Sequence, residues 1–320
     1  MKKALYLLIL LSMPALASAQ AIKVDPQIPN YQQGSGISGN LTSMGSSTMQ
    51  DLMSLWAEEF GKVYPHVKLE IGRGGSGGVP KALMDGTTHL GMMSRAMRVS
   101  EIAAFEQKYG FKPTELRTAL DALAIFVHKD NPIQGLTLQQ LDAIYSKTRR
   151  GGHKETISTW GQLGLTGDWA NRPITLYGLP GVSGTQELFR EIALFNGDLK
   201  DEVNPLPHPE YMVKAAEQDR YALTYGGIGY MTPNVRTVPL AKGPGQAFHQ
   251  ANYGEVISGK YPLSRFLYIY IVKHPKKPLA PLMREFGKFI FSREGQGTVV
   301  KAGYLPLPVS LVREERNKLE

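Results

Sequence analysis

The chain predicts an α/β fold in two lobes, and three observations carry that prediction. Apolar stretches with strand character alternate with stretches at helical spacing along most of the length, which favours mainly parallel sheets flanked by helices. Three turns rich in glycine and hydroxyl residues each sit between a strand candidate and a helix candidate. After removal of a leader, about 300 residues remain, more than one hydrophobic core usually serves.

The leader comes first. Lys2 and Lys3, an apolar run from Leu5 to Leu11 and Ala17-Ser18-Ala19 form the three parts of a secretory signal over residues 1–19. Its apolar run is too short to span a bilayer. The 320 residues include no cysteine, so neither a disulfide nor a lipid-bearing cysteine is available. A periplasmic protein without a lipid anchor is therefore expected. The formal net charge of +8 comes from dispersed Lys and Arg, not from a basic stripe interleaved with aromatics, which argues against nucleic acid as a partner. Seven histidines stand singly without metal-ligand spacing, and the reading calls for no cofactor and no metal.

Residues 20–40, rich in Pro, Gln, Gly and Ser, read as a flexible or loosely docked leader. The strand candidate Leu41–Met44 runs into Gly45-Ser46-Ser47-Thr48 and then a helix carrying Leu52, Met53, Trp56 and Phe60 on one side. Thr48 and Asp51 have capping-box spacing. Val67–Ile71 alternates as a strand does and ends in Gly72-Arg73-Gly74-Gly75-Ser76-Gly77-Gly78, with Pro80 suited to a first helical turn beyond it. A third strand, Thr88–Met93, ends at Ser94 and Arg95. In open α/β sheets, ligands bind beyond the carboxyl ends of the strands, where these groups stand. Ser100–Tyr109 reads as a helix stopped by Gly110. The unbroken apolar run Ala122–His128 suggests a strand buried on both faces, and the crossing to a second lobe is placed just after it.

In that second lobe Thr137 caps a helix to Tyr145, and the strand Ile174–Tyr177 feeds Gly181-Val182-Ser183-Gly184-Thr185-Gln186, a glycine turn opening another helix. Ser183 and Gln186 again have capping-box spacing. The first amides of a helix lack internal partners and its macrodipole makes that end partly positive, so small hydroxyl residues and glycine let an anion approach. Three such turns are read as one oxyanion site assembled from several helix N-termini. Tyr225–Met231 looks like the return to the first lobe, Arg265–Val272 is the longest strand candidate, and Leu282, Phe286, Phe289 and Ile290 line a late helix. Lobe 1 is thus expected at 41–128 and 231–308, lobe 2 at 129–230, and a C-terminal tail at 309–320.

From about Leu41 to Pro308 the chain resembles the phosphate-binding proteins of bacterial phosphate-specific ABC importers, which have the type II periplasmic-binding-protein fold. The resemblance rests on Gly45-Ser46-Ser47-Thr48, Gly75-Ser76-Gly77-Gly78-Val79, Ser183-Gly184-Thr185, Ile228-Gly229-Tyr230, Tyr261-Pro262-Leu263-Ser264-Arg265 and Gly303-Tyr304-Leu305-Pro306, in that order. It implies a non-enzymatic, monomeric receptor that closes on inorganic phosphate and delivers it to an inner-membrane permease. It also implies that the hydroxyl of Thr48, the backbone of Met49 and Ser76 meet the anion from one lobe, and Ser183, Gly184 and Thr185 from the other. Ser94 and Arg95 complete the first-lobe set. Many family members carry an aspartate, acceptor of the phosphate proton, where Arg95 stands, and an arginine where Leu179 stands. These departures suggest a guanidinium shifted from one lobe to the other and leave selectivity against sulfate open. The alternatives are a receptor for another tetrahedral oxyanion and a secreted phosphate-ester hydrolase using Ser183 or Ser76 as nucleophile.

Overall fold

The computed structural model describes residues 22–179 and 184–320. The signal at 1–19 and Ser183 of the central turn lie outside the described residues. In chain order the first half runs β1 (Gly39–Gly45), α1 (Gln50–Val63), β2 (Val67–Arg73), α2 (Gly75–Asp85), β3 (Leu90–Met93) and α3 (Val99–Tyr109). β1 is parallel to β2 from Gly39 opposite Val67 to Gly45 opposite Arg73, and parallel to β3 on its other side. All three strands therefore end on the same edge, where the first two glycine turns lie. Gly110, at φ 75°, stops α3 as expected.

The pivot of the architecture is β4 (Thr114–His128), a 15-residue strand buried almost throughout from Thr118 to Val127. β5 (Leu136–Thr137), α4 (Leu138–Tyr145), β6 (Thr175–Gly178), α5 (Gly184–Ile192), β7 (Asn204–Pro205), α6 (Pro209–Gln218) and β8 (Ala222–Gly227) follow. β9 (Val235–Thr237), β10 (Leu240–Ala241) and α7 (Tyr253–Ile257) lead to β11 (Ser264–Ile271) and to α8 (Pro281–Ile290), α9 (Arg293–Lys301) and α10 (Val309–Asn317). The strand order is β2-β1-β3-β11-β4-β8-β6-β7, with β9 also on β4. The first part of β4, Thr114 to Ala122, pairs antiparallel with β11, whereas Leu123 to Phe126 pair with β8. One strand thus belongs to both halves, and its allegiance changes between Ala122 and Leu123. The sheets are parallel in their outer arms and antiparallel at this centre.

Several expectations need correction. β9 pairs with the end of β4 and β10 with β5, so the stretch 235–241 belongs with the second half. The chain returns at 261–264, where the Tyr261 hydroxyl donates to the Leu123 carbonyl (2.8 Å) and the Leu123 amide to Leu263 (2.9 Å). The segment after residue 22 is firmly docked: Ile28 is fully buried, and the Tyr31 hydroxyl donates to Glu285 (2.7 Å) amid the rings of Phe60, Tyr64 and Phe289. Residues 309–320 hold a helix, not a loose tail; Glu315 is fully buried and takes the Arg117 Nε at 2.6 Å. α2 begins at Gly75, so Pro80 lies inside the helix and not in its first turn. Thr48 lies within a 3-10 turn over Ser47–Met49, and no side-chain cap forms there or on α1.

Candidate functional site

Two turns are brought together by features visible in the backbone. Gly45 has φ 144°, and a Cβ there would sit 2.0 Å from the Met92 carbonyl oxygen, so only glycine lets β1 end against β3. The Ser46 amide donates to that carbonyl at 2.9 Å, which fixes the turn bearing Thr48 beside the loop bearing Ser94. The Ser76 hydroxyl, in the first turn of α2, accepts the Ser94 amide at 3.1 Å and lies 3.2 Å from the Ser94 hydroxyl. Thr48, Ser76 and Ser94 therefore share the carboxyl edge of the β2-β1-β3 arm.

The second half brings the start of α5 to the same place. Leu188 and Phe189 are buried, and Phe189 stacks on Tyr225 of β8 at 3.8 Å between centroids with an interplanar angle of 4°. The Tyr225 hydroxyl accepts the Leu179 amide (3.1 Å) and donates to the Gln186 carboxamide oxygen, tying down both sides of the central turn. Burial pushes that phenol's pKa up, which keeps it a donor. Gly184 then lies against Thr48: a Cβ at 184 would fall 2.0 Å from the Thr48 Oγ1. Residues from two distant parts of the chain meet here without a side chain on the second.

Arg265 occupies the junction. It stands directly opposite Asp121 in the β11–β4 pairing, one residue before β4 changes partner, and its Nε donates to Asp121 Oδ2 at 3.2 Å. Its Nη2 reaches Thr48 Oγ1 at 3.3 Å and the Gly184 carbonyl at 3.1 Å, so a single guanidinium touches both halves. The pair is well shielded, with side-chain exposures of 10% and 6%. Burial pushes the Asp121 carboxyl pKa up, and Arg265 offsets this only in part. The Tyr304 hydroxyl donates to the Thr48 carbonyl at 2.6 Å and braces the same turn. Next to this junction lies a cavity of about 290 Å³, lined by Ser94, Arg95, Arg265 and Tyr268 from the first half and by Leu188 and Glu191 of α5 from the second. That is the small end of the range for ligand sites.

The expected site residues fall into three groups. Thr48, Ser76, Ser94 and Gly184 converge on the junction as described, and Thr185 sits beside Gly184 in the first turn of α5, half-buried. Arg95 lines the cavity, yet its guanidinium is clamped on Glu101 through Nη1–Oε2 and Nη2–Oε1 bonds of 2.8 Å each. That clamp raises the Arg95 pKa and holds the Glu101 carboxyl below the usual range. Met49 departs from expectation: its side chain is fully buried in the core and its amide donates to the Ser46 carbonyl at 3.1 Å. The 3-10 turn uses up that donor. Arg265, Asp121 and Glu191 were missed by sequence reasoning. A signal existed for two of them, since Asp121 interrupts an otherwise apolar run and a buried carboxylate needs a partner.

Two α/β halves that share one strand and bring hydroxyls, a glycine backbone and a guanidinium together at their junction define a solute-binding protein, and the family model of the PBP superfamily domain matches residues 30–294. The chain is 50% identical over 303 residues to the Phosphate-binding protein PstS of Pseudomonas aeruginosa, covering 95% of this chain and 94% of that protein, and it belongs to that family. Protein SphX of Synechococcus elongatus is 27% identical over 281 residues, covering 87% and 80% of the two chains. Among solved structures, a possible phosphate binding protein from Planctomyces limnophilus superposes with a TM-score of 0.75 at 27% identity, covering 88% of this chain and 98% of that one. A putative phosphate ABC transporter substrate-binding protein from Clostridium perfringens, with bound phosphate, superposes at 0.56 with 26% identity, covering 84% and all of the two chains.

Proposed function

We propose that this chain captures inorganic phosphate in the cleft and delivers it to an ABC importer. The observation that carries this reading is Arg265 bridging Thr48 of one half and the Gly184 carbonyl of the other. A guanidinium at the seam supplies charge and directional donors to an oxyanion. The hydroxyls of Thr48, Ser76 and Ser94 and the first amides of α2 and α5 surround it with further donors. Hydrogen bonds to a charged group contribute about 1.5–3 kcal/mol each, so a handful suffices for tight binding without a metal. Closure of the two halves about β4 would bring the α5 donors onto an anion already held by the first half. The names of the relatives support phosphate as the ligand.

The role is binding and not catalysis on this reading. Ser76 and Ser94 hydrogen-bond to one another, and neither has a basic group among its partners to activate it. Secretion to the periplasm follows from the residue pattern at 1–19, and among the described residues no helix is long and apolar enough to cross a membrane. Isothermal titration of the purified protein with phosphate at neutral pH tests the proposal. Saturable binding of one phosphate per chain is expected; absence of heat and of any thermal stabilisation by phosphate refutes it.

A further inference from the structure

We infer that Tyr304 is a positioning residue of the cleft: it ties the turn bearing Thr48 to the shared strand β4, so that the Thr48 hydroxyl meets the anion together with the Arg265 guanidinium. This rests on the reading of the cleft as an oxyanion site. Two motifs singled out in the sequence, Ile228-Gly229-Tyr230 and Gly303-Tyr304-Leu305-Pro306, supply none of the donors assigned so far. The structure places them against each other. A Cβ on Gly229 would lie 3.5 Å from the Gly303 carbonyl oxygen, and one on Gly303, at φ 83°, 3.8 Å from the Tyr230 ring. The chain leaving β8 therefore passes over the loop that follows α9.

That loop is fixed to β4. Leu305 and Leu120 exchange both backbone hydrogen bonds, at 2.9 and 3.0 Å. Just beyond, the Leu307 amide donates to Oε1 of the fully buried Gln296 at 2.7 Å, and Gln296 Nε2 donates to the Thr118 carbonyl of β4 at 3.2 Å. Asp121, the next residue of β4 after Leu120, faces Arg265 of β11 on the strand's other edge. Adjacent residues of one strand thus govern both donors: Asp121 holds Arg265 directly, and Leu120 holds Thr48 through Leu305 and Tyr304.

The Tyr304 hydroxyl completes that chain with its 2.6 Å bond to the Thr48 carbonyl, at the short end of the range for O–H···O. Burial pushes the phenol's pKa up, with Asp121 adding to the rise, so it stays a donor. The turn needs such support. It is a single 3-10 turn over Ser47–Met49 with no side-chain cap. The Ser46 amide on the Met92 carbonyl holds one end, and Tyr304 holds the other. Thr48 Oγ1 accepts from Arg265 Nη2 at 3.3 Å, near the limit for a hydrogen bond, which leaves its own O–H to donate to the anion. A small drift of the turn would separate the two donors.

The test is a double-mutant cycle on the full chain, titrated with sodium phosphate at neutral pH: wild type, Tyr304→Phe, Thr48→Ala and the two together. Phenylalanine keeps the ring and removes one oxygen. Alanine at position 48 keeps the backbone carbonyl and removes the hydroxyl, and melting curves check that each variant is folded. Tyr304→Phe is expected to weaken phosphate binding about three- to tenfold, the worth of one hydrogen bond. In the Thr48→Ala background the same change should cost less than about twofold, because the hydroxyl that Tyr304 positions is gone. A brace that serves only the fold would lower the melting temperature without moving the affinity, or cost the same factor in both backgrounds. Either result overturns the role of Tyr304 alone. Wild-type failure to bind phosphate at all overturns the reading of the cleft, and the role of Tyr304 with it.

Discussion

Two arginines line one cavity and are held in contrasting ways. Arg95 stands on the loop after β3 and is gripped by Glu101, six residues on, through both terminal nitrogens; Nη1 also meets the Ala96 carbonyl at 3.0 Å. Arg265 stands on β11 and is held by Asp121, 144 residues away in sequence, through Nε. Among the described residues each guanidinium makes three hydrogen bonds, but those of Arg95 stay within its own loop and the start of α3, whereas those of Arg265 reach Asp121, Thr48 and the Gly184 carbonyl on three separate segments. The difference teaches that presence of an arginine in an anion cleft says less than which segments its nitrogens engage. It also separates two jobs: Arg95 anchors its own loop to the start of α3, and Arg265 reports on the contact between the halves.

The largest effect is expected from Arg265→Ala. Removing a shielded cation that joins both halves should weaken phosphate binding by about 2–5 kcal/mol, thirtyfold or more, in titration. A change smaller than that of Arg95→Ala would reverse the assignment of the two arginines. Gly184→Ala comes next, because its Cβ would strike Thr48 Oγ1 at 2.0 Å. The two halves could then not approach as they do here, and phosphate affinity should fall at least about tenfold in titration, with a melting curve reading how much stability the same overpacking removes. Arg95→Ala is expected to cost less in binding, within about tenfold, and to show instead as lost stability of about 1–3 kcal/mol from an unpaired Glu101 in thermal or urea unfolding.

The smallest effect concerns pH. Arg95 holds the Glu101 carboxyl below its unfolded value, so the stability from that pair is fully present above the unfolded pKa and is lost as pH falls through the lower folded value. Glu101→Gln should flatten the acid side of the stability profile. Asp121 behaves in the opposite sense, because burial raises its pKa: its contribution falls as pH rises from the unfolded value toward the folded one. A steeper acid loss in Glu101→Gln than in the parent would contradict the clamp.

Much of the site was legible from local pattern. Thr48, Ser76, Ser94 and Gly184 each follow a strand or open a helix, and such positions depend on neighbours a few residues away. The convergence of Thr48, Ser76 and Ser94 was legible too, because the parallel strands β1, β2 and β3 place their carboxyl ends on one edge, whereas the approach of Gly184 from the other half depends on the tertiary fold. The Thr48–Asp51 capping box failed because spacing alone does not reveal a 3-10 turn, which moved the start of α1 past Thr48 and turned its hydroxyl to Arg265. Met49 failed for the same reason, its amide being consumed within the turn. The choice of Arg95 over Arg265 followed its place beyond the carboxyl end of a strand and the family resemblance at that position, and the spacing of Arg95 and Glu101 does not by itself announce the clamp.

Periodicity, glycine turns and capping residues were enough to establish an α/β chain with donors at its strand ends, since these depend on contacts between near neighbours. Which cation serves the cleft, which carboxylate faces it and where the chain crosses between halves were settled by strand pairing over long separations. Arg265 meets Asp121 because β11 returns antiparallel against β4 in one register, and shifting that register by a single residue would turn the pair to opposite faces.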